Sequence, residues 1–267
     1  MAEMWFQVLG PVRVWRDDAE VDLGAPQQRT LLALLLVRAG HPVGLAEIVD
    51  VLWGEHPPAS AVNAVHRGVG LLRRALEPGL TARDTGRWLV RAAGGYRLDV
   101  DAGTFDLLRF RLLTEQGRRA EALDLWPAPV ASTIAHEVRV HPVFTALDRE
   151  YEAAVRAAVD DALAAGEPRA VLRAVEQAAD RAPLDESLQA RLILVLAGTG
   201  QRAAALVRYE KVRARLAEEL GIDPGTELAQ ARDQVLRRTA PHPPGSCARC
   251  GAVPVPTSPG LRSRSPR

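Results

Sequence analysis

The segment SAVNAVHRGVGLLRRAL, residues 60–76, is the most informative stretch of this 267-residue chain. Ser60 is a suitable N-cap, and the apolar residues after it recur every three or four positions, so we predict a helix over Ala61–Leu76. The predicted core face consists of Val62, Val65, Val69, Leu72 and Leu76. The opposite face consists of Asn63, His66, Arg67, Gly70 and Arg74, with Arg73 at its border.

The polar face of this helix has the chemistry of a surface that reads duplex DNA. Arginine can donate two hydrogen bonds to guanine, asparagine can pair with adenine, and further arginines can hold phosphates. Gly70 has no side chain, so it either permits close approach of the backbone to DNA or marks a lost contact. An ordinary solvated helix face is the alternative that charge alone leaves open.

The elements around this helix favour the DNA-reading interpretation. They are predicted strands at Trp5–Val8, Val12–Trp15 and Val21–Leu23, helices at Gln28–Ala39 (opened by Pro26) and Leu45–Trp53, and hairpin strands at Trp88–Arg91 and Tyr96–Val100. This order predicts an α+β winged helix-turn-helix over residues 1–103, in which the third helix enters the major groove. The hairpin is the wing, where Arg91 and Arg97 can enter the minor groove or hold phosphate.

Positive charge is concentrated in the same region, and composition excludes several other classes of protein. The chain as a whole carries +1, but residues 60–98 hold seven arginines against two acidic residues, a net +5. Lys211 is the only lysine, which excludes a Walker-type phosphate-binding loop. The longest purely apolar run, residues 31–37, is too short to span a membrane. Two cysteines and no signal-peptide pattern lead us to expect a cytoplasmic protein.

The second half of the chain is expected to be an all-α domain of tetratricopeptide-like hairpins, over residues 104–240. It is rich in alanine, and Gly166 and Gly200 lie 34 residues apart, which is the period of that repeat. Residues at the same offset agree, for example Leu172 with Leu206. Each such hairpin buries its apolar side only by stacking on a neighbour.

The rest of the sequence gives little indication of a catalytic or metal-binding site. Residues 241–267 are rich in proline and arginine and are expected to form a disordered tail. Cys247 and Cys250, with His242 nearby, make half of a zinc knuckle without a second ligand pair, so we predict incidental or redox-active thiols. The remaining histidines have no partner at a catalytic spacing. We therefore expect no enzymatic activity, no cofactor and no metal.

A series of motifs along the chain resembles the SARP family, the actinobacterial regulators that activate antibiotic biosynthesis clusters. The motifs occur in the family's order over about residues 4–238. They are FQVLGP at 6–11, LGAPQQR at 23–29, LWGE at 52–55, PPASA at 57–61, LRRAL at 72–76, GY at 95–96, FDL at 105–107, ALDLW at 122–126 and EELGIDPG at 218–225.

The resemblance implies both an organisation and a function. It implies an OmpR-type winged helix followed by a bacterial transcriptional activation domain. Such proteins bind direct repeats of promoter DNA as homodimers and recruit RNA polymerase. Asn63, Arg73 and Arg74 match the family's recognition-helix pattern. The chain departs from the family at Gly70, where a polar residue is usual, in the wing at residues 91–96, which lack two prolines, and in a shortened stretch before Trp126.

These observations predict a DNA-binding transcriptional activator, and the family resemblance implies that it acts on a secondary-metabolite (antibiotic) biosynthesis cluster. The alternative is a helical-repeat adaptor for protein interactions with weakened DNA binding, which Gly70 and the altered wing motivate. A hydrolase or nucleotide switch fused to a helix-turn-helix is a third class, and the missing phosphate-binding loop disfavours it.

Overall fold

The chain begins with a small antiparallel sheet. The computed structural model describes residues 3–81, 84, 86–92 and 94–237. Strands β1 (Met4–Gln7), β2 (Arg13–Arg16) and β3 (Ala19–Glu20) lie side by side in that order. Asp17 and Asp18 have positive φ angles and form the two-residue turn between β2 and β3. The third strand therefore ends before Val21, and the prediction that placed it at Val21–Leu23 is wrong.

Three helices follow the sheet: α1 (Pro26–Val37), α2 (Leu45–Trp53) and α3 (Ala61–Leu76). Pro26 occupies the first position of α1, where a missing N–H costs nothing. α1 is buried along most of its length because it packs against α2, α3 and the helical half of the chain. The predicted bounds of α2 and α3 are confirmed, although the Ser60 side chain makes no capping hydrogen bond.

A second three-stranded sheet forms the wing. Strands β5 (Leu89–Ala92) and β6 (Gly95–Leu98) make the predicted hairpin, and β4 (Val43–Gly44) pairs with β6 in the order β4-β6-β5. Glycine is required at position 95, because an added Cβ would lie 1.8 Å from the carbonyl oxygen of Val43. Three helices followed by this hairpin are the architecture of a winged helix-turn-helix.

The rest of the described chain is helical. The elements are α4 (Asp106–Glu115), α5 (Arg119–Asp124), α6 (His136–Arg139), α7 (Pro142–Ala165), a 3-10 turn at Pro168–Val171, α8 (Leu172–Arg181), α9 (Glu186–Gly198), α10 (Arg202–Leu220) and α11 (Thr226–Arg237). Gly166 and Gly200 adopt left-handed φ angles of 75° and 88° in the turns after α7 and α9. Burial repeats across the same offset, since Val175 and Tyr209 are both in the core.

The winged helix and the helical half share one continuous core. The carboxylate of Asp106, at the start of α4, accepts hydrogen bonds from the backbone N–H groups of Val8 and Leu9 at 3.0 and 2.9 Å. The backbone N–H of Phe6 donates to the carbonyl oxygen of Thr104 at 2.8 Å. The predicted boundary between the two domains is therefore crossed by both side-chain and backbone hydrogen bonds.

Asp106 is one of the few buried polar residues of the described chain. Burial raises the pKa of its carboxyl group to about 7, although hydrogen bonds from the backbone of Leu9, Val8 and Leu107 act in the opposite direction. Desolvation penalises the charged form of a carboxyl group, whereas backbone N–H donors favour it. The junction between the two halves therefore contains a group whose charge changes near neutral pH.

A second contact joins the two halves at helix α2. The Nε2 atom of His141 lies 3.3 Å from Oδ2 of Asp50, on α2. The Nδ1 atom of the same ring accepts a hydrogen bond from the backbone N–H of Val143, which caps α7. Helix α1 packs against α7 as well. Within the described ranges, none of the helices has both the length and the apolar character needed to cross a membrane.

Candidate nucleic-acid interface

Helix α3 presents one face to the core and the other to solvent. Ala61, Val65, Val69, Leu72 and Leu76 are buried. Val62 was predicted to lie on the core face, but it is 46% exposed, so that prediction is wrong. The buried stripe begins at Ala61, four positions before Val65, and this start rotates Val62 out to the edge of the solvent-facing side.

The solvent-facing side of α3 contains the predicted DNA-reading residues. Asn63, His66, Arg67 and Arg74 are exposed, and Gly70 is half-buried between them. Nothing lies within 4 Å of the position that a Cβ would take on Gly70. The glycine is therefore not required by packing within the described chain, and it leaves the centre of this face without a side chain.

Arg73 has a different position from the other predicted contacts. Its Nε donates a 2.8 Å hydrogen bond to the carbonyl oxygen of Leu89 on β5, and its guanidinium carbon lies 5.9 Å from the centre of the Tyr96 ring. The ring of His66 meets the same tyrosine edge-on, with the ring centres 6.3 Å apart. Arg73 and Tyr96 therefore join α3 to the wing.

The two predicted wing arginines lie on opposite faces of the hairpin. Arg91 pairs with Tyr96, and Arg97 pairs with Val90. Directly paired residues share a face, and neighbours along a strand alternate. Arg91 is therefore on the same face as Tyr96, toward α3, and its side chain is exposed. Arg97 is on the other face, where it is half-buried and its Nη2 lies 3.7 Å from Asp99.

Most described arginines of the helical half have an ion-pair partner, whereas the arginines of α3 have none among the described residues. Ten arginines of the helical half form ion pairs with carboxylates; they are residues Arg111, Arg118, Arg119, Arg156, Arg173, Arg191, Arg208, Arg213, Arg215 and Arg232. Among the described residues, the side chains of Arg67, Arg74 and Arg91 have no hydrogen-bonding or ion-pair partner within the chain. These three cations are therefore available to an external anion.

Comparison with known proteins identifies the family. The profile described as "Bacterial transcriptional activator domain" matches residues 105–236. The transcriptional regulatory protein MoaR1 of Mycobacterium tuberculosis is 30% identical over 249 residues, which cover 87% of this chain and 79% of MoaR1. The chain belongs to the SARP family of transcriptional regulators.

Other SARP-family relatives are larger than the matched region. The regulatory protein AfsR of Streptomyces coelicolor is 34% identical over 257 residues, which are 87% of this chain but 24% of AfsR. The solved structure of M. tuberculosis EmbR in complex with a low-affinity phosphopeptide superimposes with a TM-score of 0.68 at 31% identity. That alignment covers 89% of this chain and 66% of EmbR. The chain thus spans about a quarter of AfsR and two thirds of the EmbR chain.

Some features of this SARP-family chain could not be read from its sequence. The predictions did not include Asp106 or the contact between His141 and Asp50, whose partners are distant in sequence. The FDL motif at 105–107 was the one available signal for Asp106.

The described ranges contain no group of three or more histidine, cysteine, aspartate or glutamate side chains that could hold a metal ion. Cys247, Cys250 and the predicted tail lie outside the described residues.

Proposed function

We propose that this chain binds duplex DNA sequence-specifically through α3 and activates transcription from the bound promoter. The observation that carries the proposal is the pair of exposed arginines, Arg67 and Arg74, which have no partner in the described chain and share the free face of α3 with Asn63. A carboxylate-free cationic face matches the phosphates and base edges of a duplex.

Each exposed residue has a role that its chemistry suits. Asn63 would pair with an adenine and Arg67 with a guanine in the major groove, and His66 adds a further donor or acceptor. Arg74 and Arg91 would hold phosphates on either side of the groove. Arg73 would act mainly by positioning the wing against α3, because its Nε is already bonded to the Leu89 carbonyl oxygen.

The helical half is proposed to serve protein partners. Its arginines are mostly neutralised by ion pairs, so it offers less charge to a duplex than α3 does. The family description names an activator domain in this region. We propose that its tetratricopeptide-like hairpins contact RNA polymerase and a second copy of the chain on direct repeats, that the target is a secondary-metabolite cluster, and that the protein acts in the cytoplasm, where the DNA is.

The test is a selection of duplexes from a random pool, followed by measurement of affinity over a series of salt concentrations. We expect log affinity to fall with log salt by about 0.9 for each phosphate neutralised. Arg67→Ala should weaken binding to the selected duplex by about 1–3 kcal/mol and relax one base position. Arg213→Ala is the matched control, because this exposed arginine is paired with Glu210 on α10.

One observation favours a second candidate function. Gly70 leaves the middle of the reading face bare, as expected for a protein-interaction adaptor that has lost DNA affinity. The same selection separates the two functions. Recovery of no preferred duplex, together with an affinity that does not change with salt, would favour the adaptor and contradict the proposal.

A further inference from the structure

Val62 is an apolar side chain on the solvent-facing edge of the recognition helix. It lies in the first turn of α3, directly before Asn63 and one turn before His66, and it is 46% exposed. Its neighbour Ala61 is buried, so the helix is already anchored to the core at this point without Val62. Val62 belongs neither to the buried core of the described chain nor to the partly buried residues packed against that core.

The position of Val62 suits contact with a base. The N-terminal residues of a recognition helix are the ones that reach base edges in the major groove. Most groups on the base edges there are polar, but thymine presents a 5-methyl group, which makes apolar contacts with protein side chains. Valine is branched at Cβ and stiff at χ1, so it presents its two methyl groups with little loss of conformational freedom.

We propose that Val62 reads the 5-methyl group of a thymine next to the base contacted by Asn63 or His66. The inference rests on the proposed function, and it adds a specificity-determining residue that is neither charged nor polar. Leu71 provides a comparison on the same helix, because it is 44% exposed but lies nine residues further along and about half a turn round the helix. Leu71 lines a groove against α1 with Leu31, away from Val62.

The test uses deoxyuridine, which differs from thymidine only by the missing methyl group. Each thymine of the selected duplex is replaced in turn, and the affinity of the full chain is measured. We expect one replacement to weaken binding by about fourfold, the value of one buried carbon group. With Val62→Ala the same replacement should change affinity by less than about twofold, whereas Leu71→Ala should keep the full penalty.

Two results would overturn the inference while leaving the proposed function intact. The first is specific binding in which no thymine-to-uracil replacement weakens the affinity of the unaltered chain. The second is a penalty that persists in Val62→Ala after thermal unfolding shows that the variant is folded. Failure to select any preferred duplex would instead contradict the proposed function, and the inference with it.

Discussion

The effect of the single residue Gly70 on the stability of the protein can be measured without DNA. A glycine inside a helix is less favourable than alanine by about 1 kcal/mol. Since a Cβ at this position would meet nothing within 4 Å, Gly70→Ala should raise the free energy of unfolding by about 0.5–1 kcal/mol in urea titrations. A destabilised variant would show that the helix backbone at this position is not free to accept a side chain.

Gly68 is the control for this substitution, two residues away on the same helix. A Cβ on Gly68 would lie 3.3 Å from Cδ2 of the buried Leu31, so Gly68→Ala should gain less stability than Gly70→Ala. Affinity for the selected duplex, measured on Gly70→Ala, then separates the two interpretations of the glycine. Weaker binding indicates close approach of the backbone to DNA, and unchanged binding indicates a lost contact.

At this scale the sequence predicted the exposed face of α3 correctly and one residue of its core face wrongly. The apolar spacing of α3 placed Asn63, Arg67 and Arg74 on the exposed face as found. It placed Val62 in the core, because intervals of three and four residues fit a stripe starting at either 61 or 62. It could not show that Arg73 bonds to the Leu89 carbonyl oxygen, since that partner is 16 residues away on another element.

At the scale of elements, the wing depends on a glycine that allows two strands to approach. Gly95→Ala would bring a Cβ against the Val43 carbonyl oxygen, so β4 and β6 must separate. We expect a loss of about 1–3 kcal/mol or more in the free energy of unfolding. Gly44→Ala is the control, because Gly44 pairs directly with Gly95 and yet has open space around its own Cβ position. Equal effects of the two substitutions would contradict this account.

The two faces of the wing predict different effects of its arginines on binding. Arg91→Ala should weaken binding to all duplexes and reduce the salt slope by about 0.9, because this exposed side chain lies on the α3 side. Arg97→Ala should change the slope less, since its guanidinium lies on the other face near Asp99. Affinities over a salt series measure both. A larger slope change for Arg97→Ala would show that the duplex meets the opposite face of the wing.

Local sequence signals predicted most of the elements of the winged helix. The bounds of α2 and α3 follow from their apolar spacing and from the glycine and proline residues at their ends. The third strand was misplaced because it has only two residues, and its position depends on the turn at Asp17 and Asp18 rather than on any alternation. β4 was missed because two residues carry no pattern, and it forms only by pairing with β6.

At the scale of the whole molecule, Asp106 makes stability depend on pH. Its pKa is raised to about 7 in the folded chain, against an ordinary value of 3.8 when unfolded. Between these values the folded state holds more protons than the unfolded state, so the free energy of unfolding should fall as pH rises from about 4 to about 7. Urea titrations across this range should show a steeper fall for the unaltered chain than for Asp106→Asn.

The control for this pH dependence is Asp124→Asn, which alters an exposed carboxylate paired with Arg173. A change of slope that Asp106→Asn causes and Asp124→Asn does not cause is assigned to the junction. Asp106→Ala should lower stability at every pH, because the backbone N–H groups of Val8 and Leu9 would lose their acceptor, at about 1–3 kcal/mol each. An identical slope in Asp106→Asn and the unaltered chain would show that this carboxyl group does not titrate between those pH values.

The contacts between the winged helix and the helical half could not be predicted from the sequence. The partners of Asp106 are 97 and 98 residues away, and those of His141 include a residue 91 positions earlier. Patterns that repeat every few residues carry no information about contacts between residues so far apart in the chain. An isolated fragment of residues 1–103 would lack Asp106, so the backbone N–H groups of Val8 and Leu9 would lose their acceptor.

The continuous core from β1 to α7 has a geometric consequence on a promoter. If α3 is seated in the groove, the shared core holds the helical half at one angle around the duplex axis, and the position of the operator along the DNA fixes that angle. Moving the operator by about five base pairs relative to the promoter would place the helical half on the opposite side of the double helix. A move of about 10.5 base pairs would restore the original side. Transcription of a reporter gene should therefore rise and fall periodically as the distance between operator and promoter increases. Two halves joined by a flexible linker would instead give transcription that declines smoothly with that distance.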